Sequence, residues 1–317
     1  MSLAYISHPA CRLHEISPRH PEQPARLAAI EQRLREGGLH DQLTPHEAPT
    51  VDPDLLRRVH AADYVDAIIA AAPATGRHQL DPDTAMNPHS LEAALRAAGA
   101  AQLAVDLVMA GEAAQAFCAV RPPGHHAERG RAMGFCLFGN VAVAAYRALE
   151  EHGLERVAIV DFDVHHGNGT EDIVAGDERI LFCSTFQHPH YPYSGADSQA
   201  RNVVNTPLPA GSDGAAFRAA VERDWLPRLR EFAPQLVCVS AGFDAHRDDP
   251  LAELGLAEAD YAWVGARIGE LARESAGGRV VSCLEGGYEL DALAKSVEAH
   301  LRALMAHTGG RPLGARE

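Results

Sequence analysis

The stretch "RVAIVDFDVHHGNG", residues 156–169, joins an apolar run to a cluster of acidic and imidazole side chains. The apolar part is rich in branched residues and bounded by polar ones, which is typical of a buried strand. If the strand continues to its end, Asp161, Asp163 and His165 alternate and face one side of the sheet. Three such groups turned toward a buried site need a cation, so the stretch predicts a metal site where this strand ends.

Similar apolar runs recur along the chain and alternate with helical patterns. The predicted strand in the quoted stretch spans residues 156–164, and the other predicted strands are residues 116–120, 179–185, 235–241 and 279–284. The predicted helices are residues 24–36, 53–72, 88–110, 139–151, 214–231, 258–275 and 290–306. This alternation predicts an α/β fold in which helices sandwich a parallel sheet, and no linker composition interrupts it. We therefore expect one domain over residues 1–317, with residues 306–317 as a frayed tail.

The polar residues that stand out follow the predicted strands. They lie in "RPPGHH" (121–126), "DFDVHHGNG" (161–169), "GFDAHRDD" (242–249) and "EGGY" (285–288). Parallel sheets bind ligands beyond the carboxyl ends of their strands, so these segments are expected to meet in one crevice. There Asp244 would complete an oxygen and nitrogen ligand set with Asp163 and His165, leaving coordination positions for water.

Each of these residues also has a simpler interpretation. Asp161 and Asp163 can cap the turn that follows them, and His165 can be an ordinary loop histidine. Asp244 alone would be a turn residue, and Tyr288 alone a tyrosine at the edge of the core. The functional hypothesis therefore depends on the whole set being brought together.

Composition and charge limit the possible partners. The net charge of −15 argues against nucleic acid as a partner, because phosphates demand lysine and arginine. No apolar stretch approaches the roughly 20 residues of a membrane span, and the N-terminus lacks the pattern of a secretory signal. Four of the six cysteines lie in predicted strands and no CxxC pair occurs. We expect buried thiols in a cytoplasmic protein that binds neither membrane nor nucleic acid.

The chain resembles a known family through several ordered blocks. These are "HPEQPARL" (20–27), "VDPDLLRRVHAADYV" (51–65), "RPPGHHA" (121–127), "GFCLFGNVAVAA" (134–145), "DFDVHHGNGTEDI" (161–173), "SAGFDAHRDDPLAELGL" (240–256) and "LEGGYEL" (284–290). Together they resemble the zinc-dependent histone deacetylases of the arginase-deacetylase fold, closest to the class II pattern that includes acetylpolyamine amidohydrolases. The resemblance implies a zinc-dependent amidohydrolase that removes acetyl or other short acyl groups from lysine side chains of a protein or peptide.

The resemblance also implies roles for individual residues. Asp163, His165 and Asp244 match the zinc ligands. His126 matches the general base and acid, and His125 its electrostatic partner. By the same resemblance, Tyr288 donates a hydrogen bond to the substrate carbonyl, Asn168 is the partner of His126, and Asp161 lies behind His125. A potassium ion is implied near Asp161, Ser184 and Thr185. The resemblance also places Gly134, Phe135 and Tyr191 in the tunnel walls, Leu251 at the rim and Arg26 in an internal acetate channel.

Two positions leave the substrate open. Tyr191 stands where phenylalanine is commoner, which gives the tunnel wall a polar tip. Leu251 is apolar where a glutamate would suit a cationic polyamine, which favours acyl-lysine mildly. The carboxylate that grips the substrate backbone at the rim is either Asp81 or Asp83.

Three rival functions remain at this point. The same chemistry would serve an acetylpolyamine or another small acetylated amine. A silent protein that only binds acyl-lysine or a metal would not need Tyr288 and both histidines. A manganese hydrolase of the arginase type would want more carboxylates to bridge two metals.

Overall fold

Eight strands form one parallel sheet in the computed structural model, which describes residues 3–307. The strands are β1 (Leu3–Ser7), β2 (Leu43–Glu47), β5 (Gln115–Cys118), β6 (Val157–Asp161), β7 (Ile180–Gln187), β8 (Val203–Leu208), β9 (Leu236–Ala241) and β10 (Val280–Leu284), in the order β2-β1-β5-β10-β9-β6-β7-β8. A separate antiparallel hairpin consists of β3 (His78–Asp81) and β4 (Thr84–Met86). The four central strands of the large sheet are buried at every residue, because both faces are covered.

The helices that cover the sheet pack in two groups. The helices are α1 (Ala25–Glu36), α2 (Pro53–Val59), α3 (Ala62–Ala71), α4 (Ser90–Ala110), α5 (Asn140–Glu150), α6 (Asn168–Val174), α7 (Gly214–Ala220), α8 (Leu226–Phe232), α9 (Glu258–Ser275) and α10 (Leu290–Met305). One group consists of α1, α9 and α10, and the other contains α4 and α5. Both groups contact the central strands, which confirms the expected α/β sandwich.

The expected helix over residues 53–72 is wrong as a single element. It is two helices, α2 and α3, separated by an extended backbone at His60 and Ala61. The break serves tertiary hydrogen bonds: the buried His60 ring bonds Glu128 O through Nδ1 (2.9 Å) and accepts from Gly139 N at Nε2 (2.9 Å). The periodicity of the sequence does not reveal such a partner.

The expected helix over residues 214–231 is one helical segment with an irregular middle. Its first part is α7 and its last part is α8, and a π-helical turn over Val221–Trp225 joins them. The other predicted helices begin and end within about two residues of the observed ones.

Strand prediction was accurate at the centre of the sheet and incomplete at its edges. The predicted strand over residues 156–164 ends at Asp161, so its last three residues belong to the following loop. Strands β1, β2 and β8 were not predicted. Both edge strands contain proline, Pro45 in β2 and Pro207 in β8, which an edge tolerates because it leaves one side unpaired.

Three further expectations concern membranes, thiols and the tail. Helix α4 is long and apolar enough to cross a membrane by composition, contrary to expectation, but 61% of that window is buried within the protein, as in a core helix. All six cysteines are buried free thiols, as expected. Of the expected frayed tail, residues 306–307 form a turn after α10, and the remainder lies outside the described residues.

Candidate active site

Four adjacent strands carry the polar segments that the sequence singles out. Strands β5, β10, β9 and β6 are neighbours at the centre of the sheet, and each segment follows the carboxyl end of one of them. The expected convergence of four strand ends is therefore confirmed. The topology brings together residues that are up to about 165 positions apart in the chain.

The structure groups Asp163, His165 and Asp244 as a candidate metal site. One ligand atom from each lies within 4.8 Å of the others, and all three residues are buried. His165 Nδ1 lies 3.0 Å from Asp163 Oδ1 and 3.2 Å from Asp244 Oδ2. The donors therefore converge on one point, as a cation site requires.

Asp163 and His165 do not lie on the strand where the sequence places them. Because β6 ends at Asp161, Asp163 and His165 project from a loop rather than from alternate strand positions. Asp161 Oδ1 accepts from Asp163 N (3.1 Å), and Asp163 Oδ1 accepts from His165 N (2.9 Å). The carboxylates thus fix the turn of their own loop, as the simpler interpretation expects, and they also face the candidate metal site.

The charge of this group fits a divalent cation. Among the described residues, no arginine or lysine forms an ion pair with Asp163 or Asp244, and the His165 ring is the one side chain that pairs with Asp244 Oδ2. Burial works against a charged imidazole, yet hydrogen bonds to the two carboxylates raise the pKa of His165 to about 10. The field of these carboxylates therefore favours positive charge between them.

A glycine permits this close packing. A Cβ at Gly286 would overlap Asp244 Oδ2, and Gly286 N donates to Asp163 Oδ2 (2.8 Å). The "EGGY" segment after β10 therefore closes against the carboxylates with its backbone.

The tandem histidines have different partners. His125 Nδ1 lies 3.0 Å from Asp161 Oδ2, whereas His126 Nδ1 lies 2.7 Å from Asn168 Oδ1. Asn168 Nδ2 donates to Glu128 Oε1 (2.7 Å), which fixes the amide so that its oxygen faces His126. An amide oxygen only accepts, so Nδ1 of His126 carries the proton and Nε2 is free to accept one.

The two rings consequently have opposite protonation tendencies. Burial lowers the pKa of both, but the charges of Asp163 and Asp161 outweigh it and raise the pKa of His125 well above its usual value. Burial and the neighbouring positive charges of His125 and His165 together lower the pKa of His126 well below its usual value. The pair therefore combines a charged ring with a neutral one.

A cavity of about 230 Å³ opens onto this group. Its lining consists of Asp83, His126, Gly134, Phe135, His165, His190, Tyr191, Leu251 and Tyr288. All four residues expected in the tunnel and rim are among them. Gly134 has φ +55°, and a Cβ there would overlap the His126 ring, so the wall needs glycine.

Tyr288 and the rim complete the cavity. Burial raises the pKa of Tyr288 well above its usual value, with Asp244 next in effect, so the hydroxyl stays a neutral donor. Of the two rim alternatives, Asp83 lines the cavity, whereas Asp81 forms an ion pair with Arg131 (2.7 Å). The structure therefore favours Asp83 as the carboxylate at the mouth.

The residues expected near potassium and the acetate channel are also buried. Ser184 pairs with Asp161 in the β6–β7 register, and its Oγ has no hydrogen-bond partner in the part of the chain that the structure describes. Thr185 follows it in β7 and is buried. Arg26 donates to Gly287 O (2.7 Å), and its guanidinium lies 5.1 Å from the centroid of the Tyr288 ring.

Sequence reasoning missed three residues around the site, of which Glu285 and Asp249 are buried and His190 is partly exposed. Glu285 Oε2 accepts from Gly124 N (2.7 Å) and His125 N (3.1 Å), and burial raises its pKa to about 7. His190 stacks on His165 with 5.4 Å between ring centroids. Asp249 binds the backbone of Tyr288. Their positions in "LEGGY", "HPHYP" and "HRDDP" beside strand ends were the available signal.

Comparison with known proteins agrees with this site. The sequence profile of the family described as "Histone deacetylase domain" matches residues 20–304. A histone deacetylase-like amidohydrolase of Pseudomonas aeruginosa is 40% identical over 276 residues, which cover 85% of this chain and 72% of that protein. The polyamine deacetylase HDAC10 of Homo sapiens is 36% identical over 302 residues, covering 90% of this chain and 44% of that protein.

The fold gives the same result. The crystal structure of the HDA15 HD domain superposes with a TM-score of 0.90 and 34% sequence identity, covering 99% of this chain and 90% of that one. The profile, the relatives and the fold thus agree, and the chain belongs to the histone deacetylase family, a membership that supports a deacetylase activity.

Proposed function

We propose that this protein is a zinc-dependent amidohydrolase that removes acetyl, or another short acyl group, from lysine side chains of a protein or peptide. The observation that carries the proposal is one cavity bordered by a carboxylate and imidazole cluster, a neutral histidine and a buried tyrosine. An amide hydrolase needs these three functions in contact with one substrate.

Zinc suits the donor set of Asp163, His165 and Asp244, which offers one nitrogen and carboxylate oxygens. When bound there, zinc would polarise the substrate carbonyl and lower the pKa of water toward about 7. Among the described residues, no arginine or lysine forms an ion pair with Asp163 or Asp244, and only the His165 ring pairs with Asp244 Oδ2; both observations support a metal at this position.

His126 is the proposed proton carrier. Its Nε2 would accept a proton from the attacking water and return it to the leaving amine, which releases the lysine and an acetate ion. Asn168 holds the ring in the tautomer that this step needs. His125, held by Asp161, would keep positive charge beside the reacting atoms without moving the proton itself.

Other residues would orient the substrate and stabilise charge. The aliphatic stem of the acyl-lysine would lie between Phe135 and Tyr191, beside Gly134, with Leu251 at the rim. The Tyr288 hydroxyl would donate to the carbonyl oxygen as negative charge develops on it, an interaction worth roughly 10²- to 10³-fold in such enzymes.

We also propose a structural potassium ion near Asp161, Ser184 and Thr185. The unpartnered, buried Ser184 Oγ beside Asp161 supports it. A monovalent cation there would balance the carboxylate behind His125 and keep that pair in place.

The test is hydrolysis of acetyl-lysine peptides by the purified, zinc-loaded protein. We predict that His126→Ala lowers kcat by roughly 10²- to 10⁴-fold, because proton transfer is lost. The control is His89→Ala, since His89 is exposed just before α4 and is not among the residues that line the cavity. No turnover by the unaltered protein, or undiminished turnover by His126→Ala, would exclude the proposal.

An acetylated polyamine or another small acetylated amine is the second candidate substrate. The relation to HDAC10, whose name describes a polyamine deacetylase, and the carboxylate of Asp83 at the cavity mouth favour it. The apolar Leu251 at the rim favours acyl-lysine instead. The two candidates are distinguished by comparing kcat/KM for acetylpolyamines, acetyl-lysine peptides and peptides with longer acyl chains. A preference above about tenfold (1.4 kcal/mol) for peptides over acetylpolyamines removes this candidate.

A further inference from the structure

Asp249 is a buried carboxylate that lies beside the cavity without lining it. It is 6% exposed and follows β9 by eight residues. Its Oδ1 accepts from Leu251 N (3.0 Å), and its Oδ2 accepts from Tyr288 N (2.7 Å) and Glu289 N (3.3 Å). One carboxylate thus holds the backbone of a rim residue and of the cavity tyrosine.

The same contacts continue across the mouth of the cavity. Leu251 O lies 3.1 Å from His190 Nε2, and the His190 ring stacks on His165 at an interplanar angle of 24°. A chain of hydrogen bonds therefore runs from the loop of Tyr191 through Leu251 and Asp249 to Tyr288. Asp249 is the link in it that reaches the tyrosine.

Tyr288 needs this support because of the residues before it. Gly286 and Gly287 precede it, and Gly287 has φ +120°, so the backbone leading to the tyrosine has unusual conformational freedom. Gly287 O is held by Arg26, and Tyr288 N is held by Asp249. Fixing the backbone on both sides of one peptide fixes where the side chain begins.

A carboxylate suits this position better than an amide. It only accepts hydrogen bonds, and each of its two oxygens meets a backbone N–H. Asparagine would present an NH₂ group to either Leu251 N or Tyr288 N, leaving a buried donor unpaired. The charge-assisted bonds of the carboxylate are also shorter and stronger than those of an amide.

We infer that Asp249 is a positioning residue for Tyr288, which holds the tyrosine at a fixed place relative to the rim at Leu251; this rests on the proposed function of Tyr288 as hydrogen-bond donor. Asp249 itself touches neither the cavity nor the substrate. Its effect on the reaction is therefore expected to pass through the two cavity residues whose backbone it holds, Tyr288 and Leu251, and chiefly through Tyr288.

The kinetic experiment compares Asp249→Asn with Asp248→Asn, its exposed neighbour, on acetyl-lysine peptides. We expect Asp249→Asn to lower kcat about 10- to 100-fold with KM changed less than about threefold, and Asp248→Asn to change neither. Asp249→Glu, which keeps both acceptor oxygens on a longer side chain, should lower kcat less than Asp249→Asn does. In a Tyr288→Phe background, Asp249→Asn should cost less than about twofold more. A full additional loss in that background would overturn the inference.

Backbone hydrogen exchange gives a test that does not depend on turnover. In the zinc-loaded full chain, Asp249→Asn should speed exchange of the Tyr288 and Leu251 amides about tenfold or more, without changing exchange in β9 and β10. Equal protection in Asp249→Asn and Asp248→Asn would overturn the positioning role even if deacetylation holds. Selective loss of protection would support it even if the true substrate is another acylated amine.

Discussion

Two buried groups of charged residues adjoin Tyr288, and they are neutralised in different ways. The metal-site cluster consists of Asp163, His165 and Asp244, and the arginine cluster consists of Glu22, Arg26 and Arg121. In the arginine cluster, Glu22 Oε2 accepts from Arg121 Nη2 (2.6 Å), and Glu22 Oε1 pairs with Arg26 Nη1 (3.2 Å) and with Arg121 Nε. In the metal-site cluster, the carboxylates meet only imidazoles and backbone N–H groups within residues 3–307.

The difference separates a structural cluster from a functional one. The guanidinium groups outweigh the burial of Glu22 and hold its pKa at about 2, so the arginine cluster is balanced by the chain itself. In the described part of the chain, the carboxylates of the metal-site cluster pair with imidazoles and with no guanidinium or ammonium group, so a bound cation could replace the positive charge of the imidazoles. Mutations that remove one negative charge should therefore act in opposite ways on the two clusters.

The largest expected effect is on activity, from Asp244→Asn. Asparagine can still accept from Val164 N, as Asp244 Oδ1 does (2.9 Å), but it is a poor zinc ligand. We expect kcat/KM to fall by about 10³-fold or more and zinc content to fall well below one per chain. The free energy of unfolding of the metal-free protein should stay the same or rise, because the variant removes a buried charge that Asp163 repels. The measurements are metal analysis, peptide turnover and urea unfolding after chelation.

A variant with one zinc per chain and normal turnover would show that Asp244 is not a ligand. A large loss of stability in the metal-free protein would show that the charge of Asp244 is balanced within the chain, as that of Glu22 is by the arginines. Either result would remove the distinction between the clusters.

The next effect is on stability, from Glu22→Gln. The shape of the side chain is kept, but the buried Arg121 and Arg26 lose their shared counter-charge. Breaking a buried pair in this way typically costs about 3–5 kcal/mol. We expect that loss in urea unfolding at pH 7 of the metal-free protein, in contrast to Asp244→Asn under the same conditions. A cost below about 1 kcal/mol would mean that water or another group balances the arginines.

The contrast also explains what the sequence could predict. The central strands and their polar ends were found because a buried parallel strand is a continuous apolar run, and charged residues after it are conspicuous. Strands β2 and β8 were missed because edge strands carry proline and polar residues. The alternation expected for Asp161, Asp163 and His165 was wrong because the strand ends at the first of them.

Residues that act through backbone contacts were beyond sequence reasoning. Asp249 and Glu285 accept from N–H groups 39 and 160 or 161 positions away, and only the sheet order brings these together. The metal ligands were easier, because their residue types are unusual in a buried strand end and the family resemblance covers them. The arginine cluster offered "HPEQPAR" and "RPPG", but nothing in the sequence pairs Glu22 with Arg121.

The smallest effect is a pH dependence of stability that belongs to the arginine cluster. His14 is fully buried, with Nδ1 2.7 Å from Ser90 Oγ and Nε2 3.5 Å from Glu22 Oε2. Burial lowers its pKa from 6.5 to about 4, although Glu22 opposes this. Because the unfolded chain binds the proton more readily, stability is lost as pH falls from above 6.5 toward 4, by roughly 2 kcal/mol at pH 5.

The pH range in which stability is lost identifies the residue that titrates. Glu22 has a lowered pKa, so its contribution is present above its unfolded value of 4.5 and is lost only as pH falls from there through about 2. A loss of stability between pH 7 and 5 is thus not due to Glu22. In His14→Gln, urea unfolding at pH 7, 6 and 5 should show a slope smaller by about one proton, while His60 and His300 still contribute theirs. An unchanged slope would mean that His14 keeps its proton in the folded protein. The attraction of Glu22 for the charged imidazole would then outweigh the effect of burial on the His14 pKa.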